Sequence, residues 1–213
     1  MSLVHIDKEK CNLSYSCVRE CPVNAIEVKV NNDYARVIPE RCVGCGSCLS
    51  VCPENAIFYR DSKEETKKLL ASEQTKVAIV APSISGEFHD ITDYRKFVKM
   101  IKQLGFDRVN EVSFGADIIA LKYKELIKNF KGKYYITSNC PVVVKHVQKF
   151  HPESVNNLAP LVSPMIATTK IVRKKHGPDI KVVYIGPCID SKEEATLYQD
   201  DGKIDAVLTF VEL

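Results

Sequence analysis

The sequence of 213 residues has no long apolar run and no dense cluster of like charge. No stretch approaches the run of about 18 apolar residues that a membrane-spanning helix needs, so we expect no membrane partner. The net charge is only +3, and no basic run stands out, which argues against nucleic acid as a partner. Polar residues such as His5 and Asp7 interrupt the start of the chain, so no signal peptide is indicated. We therefore expect a cytoplasmic protein.

Cysteine, by contrast, is abundant and unevenly distributed. The chain has nine cysteines, and seven of them lie between residues 11 and 52. An odd number of cysteines at three-residue spacings, in a reducing compartment, favours metal ligation over a disulfide framework. Only Cys140 and Cys188 follow later in the chain.

Residues 1–60 contain an internal repeat in which eight positions recur after a constant shift of 31 residues. The first copy consists of Cys11, Ser14, Cys17, Cys21, Pro22, Asn24, Ala25 and Ile26. The second copy consists of Cys42, Cys45, Cys48, Cys52, Pro53, Asn55, Ala56 and Ile57. A constant shift indicates two copies of one small unit related by a pseudo-twofold axis. Bound metal would supply part of the folding energy of such a short segment.

The second copy has the spacing Cys-x2-Cys-x2-Cys-x3-Cys-Pro. Three thiolates at three-residue spacings surround one cubane cluster, whereas the fourth cysteine, before proline, ligates the other cluster. Gly44 and Gly46 allow the loop to turn tightly. Zinc is disfavoured, because zinc sites use cysteine pairs separated by a longer loop. The rule assigns one 4Fe–4S cluster to Cys21, Cys42, Cys45 and Cys48. It assigns Cys11, Cys17 and Cys52 to a second cluster.

Ser14 breaks the pattern at the second ligand position of the first copy. A hydroxyl is a harder and poorer ligand for a cluster iron than a thiolate, and it stays protonated unless the metal acidifies it. Three arrangements are open: a 4Fe–4S cluster with the Ser14 oxygen as fourth ligand, a 4Fe–4S cluster with another fourth ligand, or a 3Fe–4S cluster. We favour a labile or three-iron site.

The rest of the chain has a different texture. Residues 61–75 are polar and rich in helix formers, which predicts a helical linker. Short β-rich runs then alternate with stretches of helical periodicity. The β-rich runs are 77–81, 109–113, 134–138, 180–186 and 206–210. The helical stretches are 92–104, 115–130, 141–150 and 160–175. The alternation predicts an α/β domain with a mainly parallel sheet at 76–213, after an α+β two-cluster ferredoxin-like domain at 1–60.

Cys140 and Cys188 each follow a predicted strand. Pro141 reads as the first residue of a helix, where its missing N–H is no loss. Open α/β sheets bind ligands at the carboxyl ends of their strands, which favours a cluster site for both cysteines. On spacing alone, two buried structural cysteines are an equally supported alternative.

Six motifs follow one another along the chain. They are the cysteine repeat, APS (81–83), FGAD (114–117), TSNCP (137–141), SPM (163–165) and GPCIDSKEE (186–194). Their order resembles the FeFe hydrogenases over essentially the whole chain. The active site of that family, the H-cluster, is a 4Fe–4S cubane bridged by a thiolate to a di-iron subsite with CO and cyanide ligands. The resemblance implies that Cys140 and Cys188 are two of the four cubane ligands. It also implies that the di-iron pocket is lined by Ala81, Pro82, Ser163 and Pro164.

Departures from the family pattern qualify this resemblance. Catalytic members have a proton-relay cysteine where this chain has Asn139, and an asparagine neither gives nor takes a proton at ordinary pH. The lysine expected three residues after Cys188 is Ser191, with Lys192 beside it as a substitute, and Val162 replaces a lysine expected before the SPM motif. Loss of the relay cysteine with retention of the cluster cysteine is typical of the sensory branch of the family, which is thought to sense hydrogen or redox state slowly.

The motif that supplies the other two cubane ligands is missing from the sequence. We therefore expect part of a longer protein, or a truncated form, that does not assemble an H-cluster alone, and a downstream signalling domain is an expectation for the longer protein. No residue is assigned a catalytic role. The expected function is iron–sulfur electron transfer with a redox partner protein. A plain ferredoxin-type electron carrier and a hydrogenase-related iron–sulfur assembly factor are the alternatives.

Overall fold

The computed structural model describes residues 3–132 and 135–213. The chain divides into two compact units. The first unit comprises the chain up to Arg60 together with Val142–Asn156 and Cys188–Asp190. The second unit comprises Asp61–Pro141, Asn157–Pro187 and Ser191–Leu213. Two segments that we expected in the C-terminal domain, 142–156 and 188–190, thus belong to the first unit.

Short elements make up the N-terminal part of the first unit. The strands are β1 (Val4–Ile6), β2 (Ile26–Glu27), β3 (Arg36–Val37) and β4 (Ile57–Tyr59). The helices are α1 (Ser16–Glu20) and α2 (Ser47–Ser50). Strand β1 pairs antiparallel with β4, and β2 with β3. The 31-residue shift converts one pairing into the other with the register kept, so the two ribbons are copies.

The remaining elements follow in chain order. The strands are β5 (Lys76–Val80), β6 (Arg108–Glu111), β7 (Lys181–Gly186) and β8 (Ala206–Thr209). The helices are α3 (Lys63–Leu70), α4 (Ile84–Glu87), α5 (Tyr94–Gln103), α6 (Ser113–Lys128), α7 (Pro141–Phe150), α8 (Pro164–His176) and α9 (Ser191–Glu194). Two 3-10 helices occupy Pro152–Asn157 and Ala195–Leu197.

The second unit is built on a four-stranded parallel sheet with the order β6-β5-β7-β8. After an initial, partly buried lysine, the central strands β5 and β7 are apolar runs whose residues are almost fully buried, as expected of a parallel sheet covered on both faces. This confirms the predicted α/β architecture. Within the described residues, no helix combines the length and the apolar character of a membrane span.

One predicted strand, 134–138, is wrong in its described part, which begins at residue 135. Ile136 makes only an isolated parallel bridge with Leu158. The Ser138 N–H donates to the Tyr123 hydroxyl at 2.9 Å. Because neighbouring loop and helix groups satisfy this backbone, the segment forms no ladder with the sheet.

The predicted linker at 61–75 contains helix α3, which is an element of the second unit. Ser62 and Thr66 are both buried, so one side of this polar helix packs against protein. Helix α5 ends before Gly105, whose φ of 110° stops it, and α7 has the predicted bounds.

Candidate metal centre

All nine cysteines are free thiols, and the seven in the repeat surround two separate cavities of the first unit. Cavity A is lined by Cys21, Cys42, Cys45 and Cys48. Its other walls are almost entirely apolar: Val4, Pro22, Val23, Ala25, Ile26, Val37, Val43 and Gly46. The four cysteines that the spacing assigns to one cluster therefore lie around one cavity.

Cavity B is lined by Cys11, Cys17, Cys52 and Ser14. Its other walls are Ile6, Asn12, Leu13, Tyr15, Val28, Ala35, Glu54, Ala56 and Ile57. The structure thus places Ser14 with the three remaining cysteines of the repeat.

The two cavities have matching frames. Cys21 follows α1 but lines cavity A, and Cys52 follows α2 but lines cavity B, so each copy of the repeat gives one cysteine to the other cavity. Gly44 and Gly46 in the loop of cavity A have φ of 72° and 82°. Their counterparts in cavity B, Leu13 and Tyr15, also have positive φ, of 57° and 59°. The Ser14 loop therefore keeps the glycine-type backbone without glycine, at a cost of roughly 1–2 kcal/mol per residue.

Backbone N–H groups are aimed at the crossing cysteines. The N–H of Ala25 donates to Cys21 Sγ at 3.1 Å, and the N–H of Ala56 donates to Cys52 Sγ at 3.3 Å. In both copies an asparagine with φ near 48–49° turns the chain just before the donor. Hydrogen bonds of this kind stabilise negative charge on sulfur.

The surroundings of three cavity thiols, Cys17, Cys42 and Cys48, raise their pKa and so favour their neutral form. Burial, and after it repulsion from the neighbouring thiolates of Cys42, Cys45 and Cys21, together raise the pKa of Cys48 to about 12. Burial also raises the pKa of Cys42 and of Cys17. A cation in the cavity reverses this preference, since a metal-bound thiol loses its proton outright.

The arrangement fits iron–sulfur clusters. The described residues contain no group of three or more His, Cys, Asp or Glu side chains that would hold a single metal ion. Instead the thiols stand around apolar cavities, with backbone N–H donors to sulfur, which is how proteins hold polyatomic 4Fe–4S clusters.

Residues from later in the chain complete the wall behind cavity A. Lys149 Nζ donates to the carbonyl oxygen of Cys42 at 2.7 Å and to that of Pro39 at 2.9 Å. The Arg41 guanidinium lies 5.5 Å from the centre of the Phe150 ring. Val23 and Val43 pack against Val142 and Phe150 in a small apolar cluster.

The segment 188–190 lies against the loop of cavity A. Ile189 is buried in the apolar core of the first unit and lies 3.7 Å from the position of a Cβ on Gly46. Asp190 forms an ion pair with Lys145 of α7. A Cβ on Gly44 would come within 2.4 Å of Asp190 Oδ1, so the residue after Val43 must be glycine for close approach as well as for its φ.

Cys140 and Cys188 lie in different units. Cys188 is partly buried and comes two residues after β7 ends, as predicted. Cys140 is exposed and directly precedes α7, with Pro141 as the first helical residue. Because no strand forms over 135–138, the expectation that Cys140 follows a sheet strand is wrong.

The residues expected at the di-iron pocket lie at element ends in the second unit. Ala81 is buried directly after β5, and Pro82 is exposed. Ser163 is buried and caps α8, accepting a hydrogen bond from the Ile166 N–H at 3.4 Å, while Pro164 opens the helix. These contacts give Ser163 a structural role as a helix cap.

Lys192 points into the core of the second unit. Its side chain is fully buried, and Nζ donates to Ser62 Oγ at 2.6 Å and to the Val207 carbonyl at 2.8 Å. It also pairs with Glu212 at 2.9 Å. The lysine beside Ser191 is therefore committed to tying α3 and β8 to α9, and Ser191 itself is buried.

Comparison with known proteins identifies the family of most of the chain. Residues 74–213 match the family described as iron only hydrogenase large subunit, C-terminal domain. The chain belongs to this family. Residues 3–53 match the 4Fe-4S dicluster domain. The iron-only hydrogenase family and the dicluster match together make this an iron–sulfur protein of the electron-transport type.

Individual relatives agree with the family. The chain is 29% identical to iron hydrogenase 1 of Clostridium pasteurianum over 243 aligned residues, which cover 98% of this chain and 42% of that protein. Its fold is similar to apo FeFe-hydrogenase HydA1 from Chlamydomonas reinhardtii, with a TM-score of 0.60, and to an FeFe-hydrogenase solved in work on oxygen inactivation, with a TM-score of 0.56. Each of these structures is 22% identical, and each alignment covers 72% of this chain and 46% of the other. The chain spans less than half the length of these iron-only hydrogenases.

Two polar residues beside Ser14 in this iron-only hydrogenase family member, Asn12 and Glu54, were not among the predicted site residues. Asn12 Nδ2 donates to Glu54 Oε1 at 2.8 Å, and the Ser14 N–H donates to Asn12 Oδ1 at 3.1 Å. The 31-residue shift could have revealed them in the sequence, because Asn12 and Glu54 occupy the positions that correspond to Val43 and Val23 of cavity A.

Proposed function

We propose that the first unit is a two-cluster ferredoxin-like module that passes electrons within an FeFe hydrogenase of the sensory type. Cavity A would hold a 4Fe–4S cluster on Cys21, Cys42, Cys45 and Cys48. Cavity B would hold a second cluster on Cys11, Cys17 and Cys52, with Ser14 at its fourth corner. The observation that carries the proposal is the set of four thiols around one apolar cavity.

The crossing cysteines support electron transfer between the clusters. Cys21 and Cys52 each link one copy of the repeat to the cavity of the other copy. Two clusters tied together in this way lie close to each other inside a unit with few residues between them. Apolar walls and N–H donors at sulfur then tune the reduction potential of each cluster.

We further propose a second cluster site that uses the two later cysteines, Cys140 and Cys188. Cys188 itself belongs to the first unit, and α7 begins directly after Cys140. Lys149 and Ile189, which follow these cysteines in the chain, both contact the loop of cavity A. Cys140 and Cys188 would be two ligands of the H-cluster cubane, and the Ala81, Pro82, Ser163 and Pro164 segments would border the di-iron subsite.

Two features favour a sensor over a turnover enzyme. Asn139 stands at the proton-relay position and carries no exchangeable acidic proton. Lys192, the nearest substitute for the expected lysine, is held in the core by Ser62 and Glu212. A site that binds hydrogen without an efficient proton path turns hydrogen over slowly. Slow turnover is compatible with a sensor but not with a rapid hydrogenase.

The test is anaerobic iron and sulfide analysis of the purified chain, with EPR of the reduced protein. We expect about seven or eight irons per chain, and the Cys48→Ala variant should lose roughly four of them with the cavity A signal. Ser113→Ala, a substitution outside both cavities, serves as the control. Fewer than about one iron per chain after reconstitution would overturn the proposal.

A plain electron carrier is the competing function, since it also needs both clusters. Infrared spectra of the matured natural protein separate the two. CO and cyanide bands that shift under hydrogen support the sensory hydrogenase, whereas two clusters without such bands leave only an electron carrier.

A further inference from the structure

Cavity A and cavity B share the positions of three thiols and differ most in polarity at one corner. The Cys45 corner of cavity A consists of Cys45, Val23 and Val43, and both valines are buried. The 31-residue shift replaces these residues with Ser14, Glu54 and Asn12, the Ser14 corner of cavity B. One soft thiol and two apolar side chains thus become three oxygen-bearing side chains at the same place.

The Ser14 corner is organised by hydrogen bonds. Asn12 accepts from the Ser14 N–H at 3.1 Å and donates to Glu54 Oε1 at 2.8 Å. Asn12 therefore fixes the backbone that carries the Ser14 hydroxyl and holds the Glu54 carboxylate at the cavity wall. All three residues are solvent-exposed, so ions reach the corner from outside.

Hydroxyl and carboxylate oxygens are hard ligands, and divalent cations bound to them often keep some of their water ligands. Such oxygen ligands release the cation more readily than thiolates do. The backbone at this corner carries positive φ at Leu13 and Tyr15, so the loop is held in the ligand-presenting shape even without a cysteine. We infer that the Ser14 corner is an exchangeable site for a divalent metal, with Ser14 and Glu54 as oxygen ligands and Asn12 as a positioning residue. The inference rests on the proposed second cluster in cavity B.

The exchange conserves charge and electrons. The Fe3S4 core of a reduced cluster on Cys11, Cys17 and Cys52 would be formally neutral, not counting the thiolate ligands, and uptake of one divalent cation would give a four-metal core of charge +2. Glu54 supplies the negative ligand and the Ser14 hydroxyl binds as a neutral oxygen, so neither a proton nor an electron is transferred. Release of the cation to a chelator reverses the step.

The experiment uses the full chain, reconstituted anaerobically. Treatment with ferricyanide and a chelator should remove one iron per chain and produce the EPR signal of an oxidised three-iron cluster. After reduction with dithionite, titration with Zn²⁺ should abolish that signal on reoxidation, with one zinc bound per chain, and a chelator should restore it.

Variants that introduce the cavity A residues into cavity B distinguish two explanations for zinc uptake. One is ligation by the oxygen atoms of the Ser14 corner, and the other is simply the lack of a fourth thiolate. Ser14→Cys should abolish both the three-iron signal and zinc uptake. The double substitution Asn12→Val with Glu54→Val should keep the three-iron signal but weaken zinc uptake at least about tenfold. Glu54→Gln, which keeps the side-chain shape, should weaken it in the same direction. Cys45→Ser opens the corner between two valines, and this second three-iron cluster should take up no zinc at the concentrations that fill cavity B.

Two results would overturn the inference: a wild-type chain that keeps four irons in cavity B under ferricyanide, or zinc uptake with unchanged affinity in the valine double variant and in Glu54→Gln. An iron content of about four per chain, not raised by Ser14→Cys, would instead show that cavity B holds no cluster. That outcome removes the second cluster from the proposed function as well, and it is distinguished from the first two by the iron count.

Discussion

Cavity A and cavity B are formed by two copies with equivalent strand pairing, equivalent crossing cysteines and equivalent N–H donors to sulfur, yet the surroundings of the two cavities differ. Cavity A has glycines in its loop, four thiols and a wall completed by α7 and by residues 188–190. Cavity B has Leu13 and Tyr15 in the loop, three thiols and an exposed polar corner. The contrast shows that the two copies keep the same backbone while their side chains differ, even at one of the four expected ligand positions.

The largest expected effect comes from breaking the crossing of ligands. Cys21→Ser lies in the first copy of the repeat but should eliminate the cluster of cavity A, with a loss of roughly four irons. Cys52→Ser, in the second copy, should instead eliminate the cluster of cavity B. Iron analysis with EPR of both variants checks this, and loss of the same signal in both would contradict the assignment.

Gly44→Ala should be the next largest. The alanine would have a φ of 72°, and its Cβ would come within 2.4 Å of Asp190 Oδ1. Backbone strain and overpacking together should lower the free energy of unfolding by about 2–4 kcal/mol. Gly46→Ala is the matched control, because its Cβ lies 3.7 Å from Ile189, an ordinary contact distance. This substitution should lower the free energy of unfolding by about 1–2 kcal/mol, from its positive φ alone. Anaerobic urea denaturation followed by circular dichroism measures both, and equal costs would show that the Asp190 contact is unimportant.

The reverse exchange in cavity B should stabilise the protein. Leu13→Gly or Tyr15→Gly removes the backbone strain of a positive φ, which costs roughly 1–2 kcal/mol. Glycine also makes the unfolded chain more flexible, which costs about 0.5–1 kcal/mol. The free energy of unfolding should therefore rise by about 0.5–1 kcal/mol. The same urea titration detects the gain. A loss of stability in both variants would mean that these side chains contribute more by packing than their backbone costs.

The smallest effect should come from the turns where the cavities agree. Asn24 and Asn55 have φ of 49° and 48°, a conformation that asparagine tolerates. Asn24→Gly and Asn55→Gly should each change the free energy of unfolding by less than about 0.5 kcal/mol, and by equal amounts. A difference between the two beyond experimental error would break the symmetry of the frame.

Much of this structure was readable from local patterns. The 31-residue shift predicted the paired frame, and alternation of apolar runs with helical periodicity predicted the parallel sheet, because both patterns repeat along the sequence. The segment after Tyr134 was misread as a strand, since a β-rich composition does not reveal that Tyr123 and a neighbouring loop satisfy its backbone.

Long-range relations were beyond local reasoning. Nothing near Lys192 in the sequence indicates its pairing with Glu212, and nothing near Ile189 indicates that it packs in the first unit. The polar partners of Ser14 were visible only when the flanking positions of the two copies were set side by side.

The first unit closes only when residues 188–190 join residues 3–60 and 142–156. During synthesis at about 5–20 residues per second, the N-terminal repeat therefore waits on the order of ten seconds before its last segment leaves the ribosome. The valines behind cavity A gain their cover from α7 earlier, but until then the loop of cavity A lacks Asp190. The order of synthesis thus separates the maturation of the two cavities in time: cavity B, built wholly from the repeat, is complete first, and cavity A gains its full shelter last.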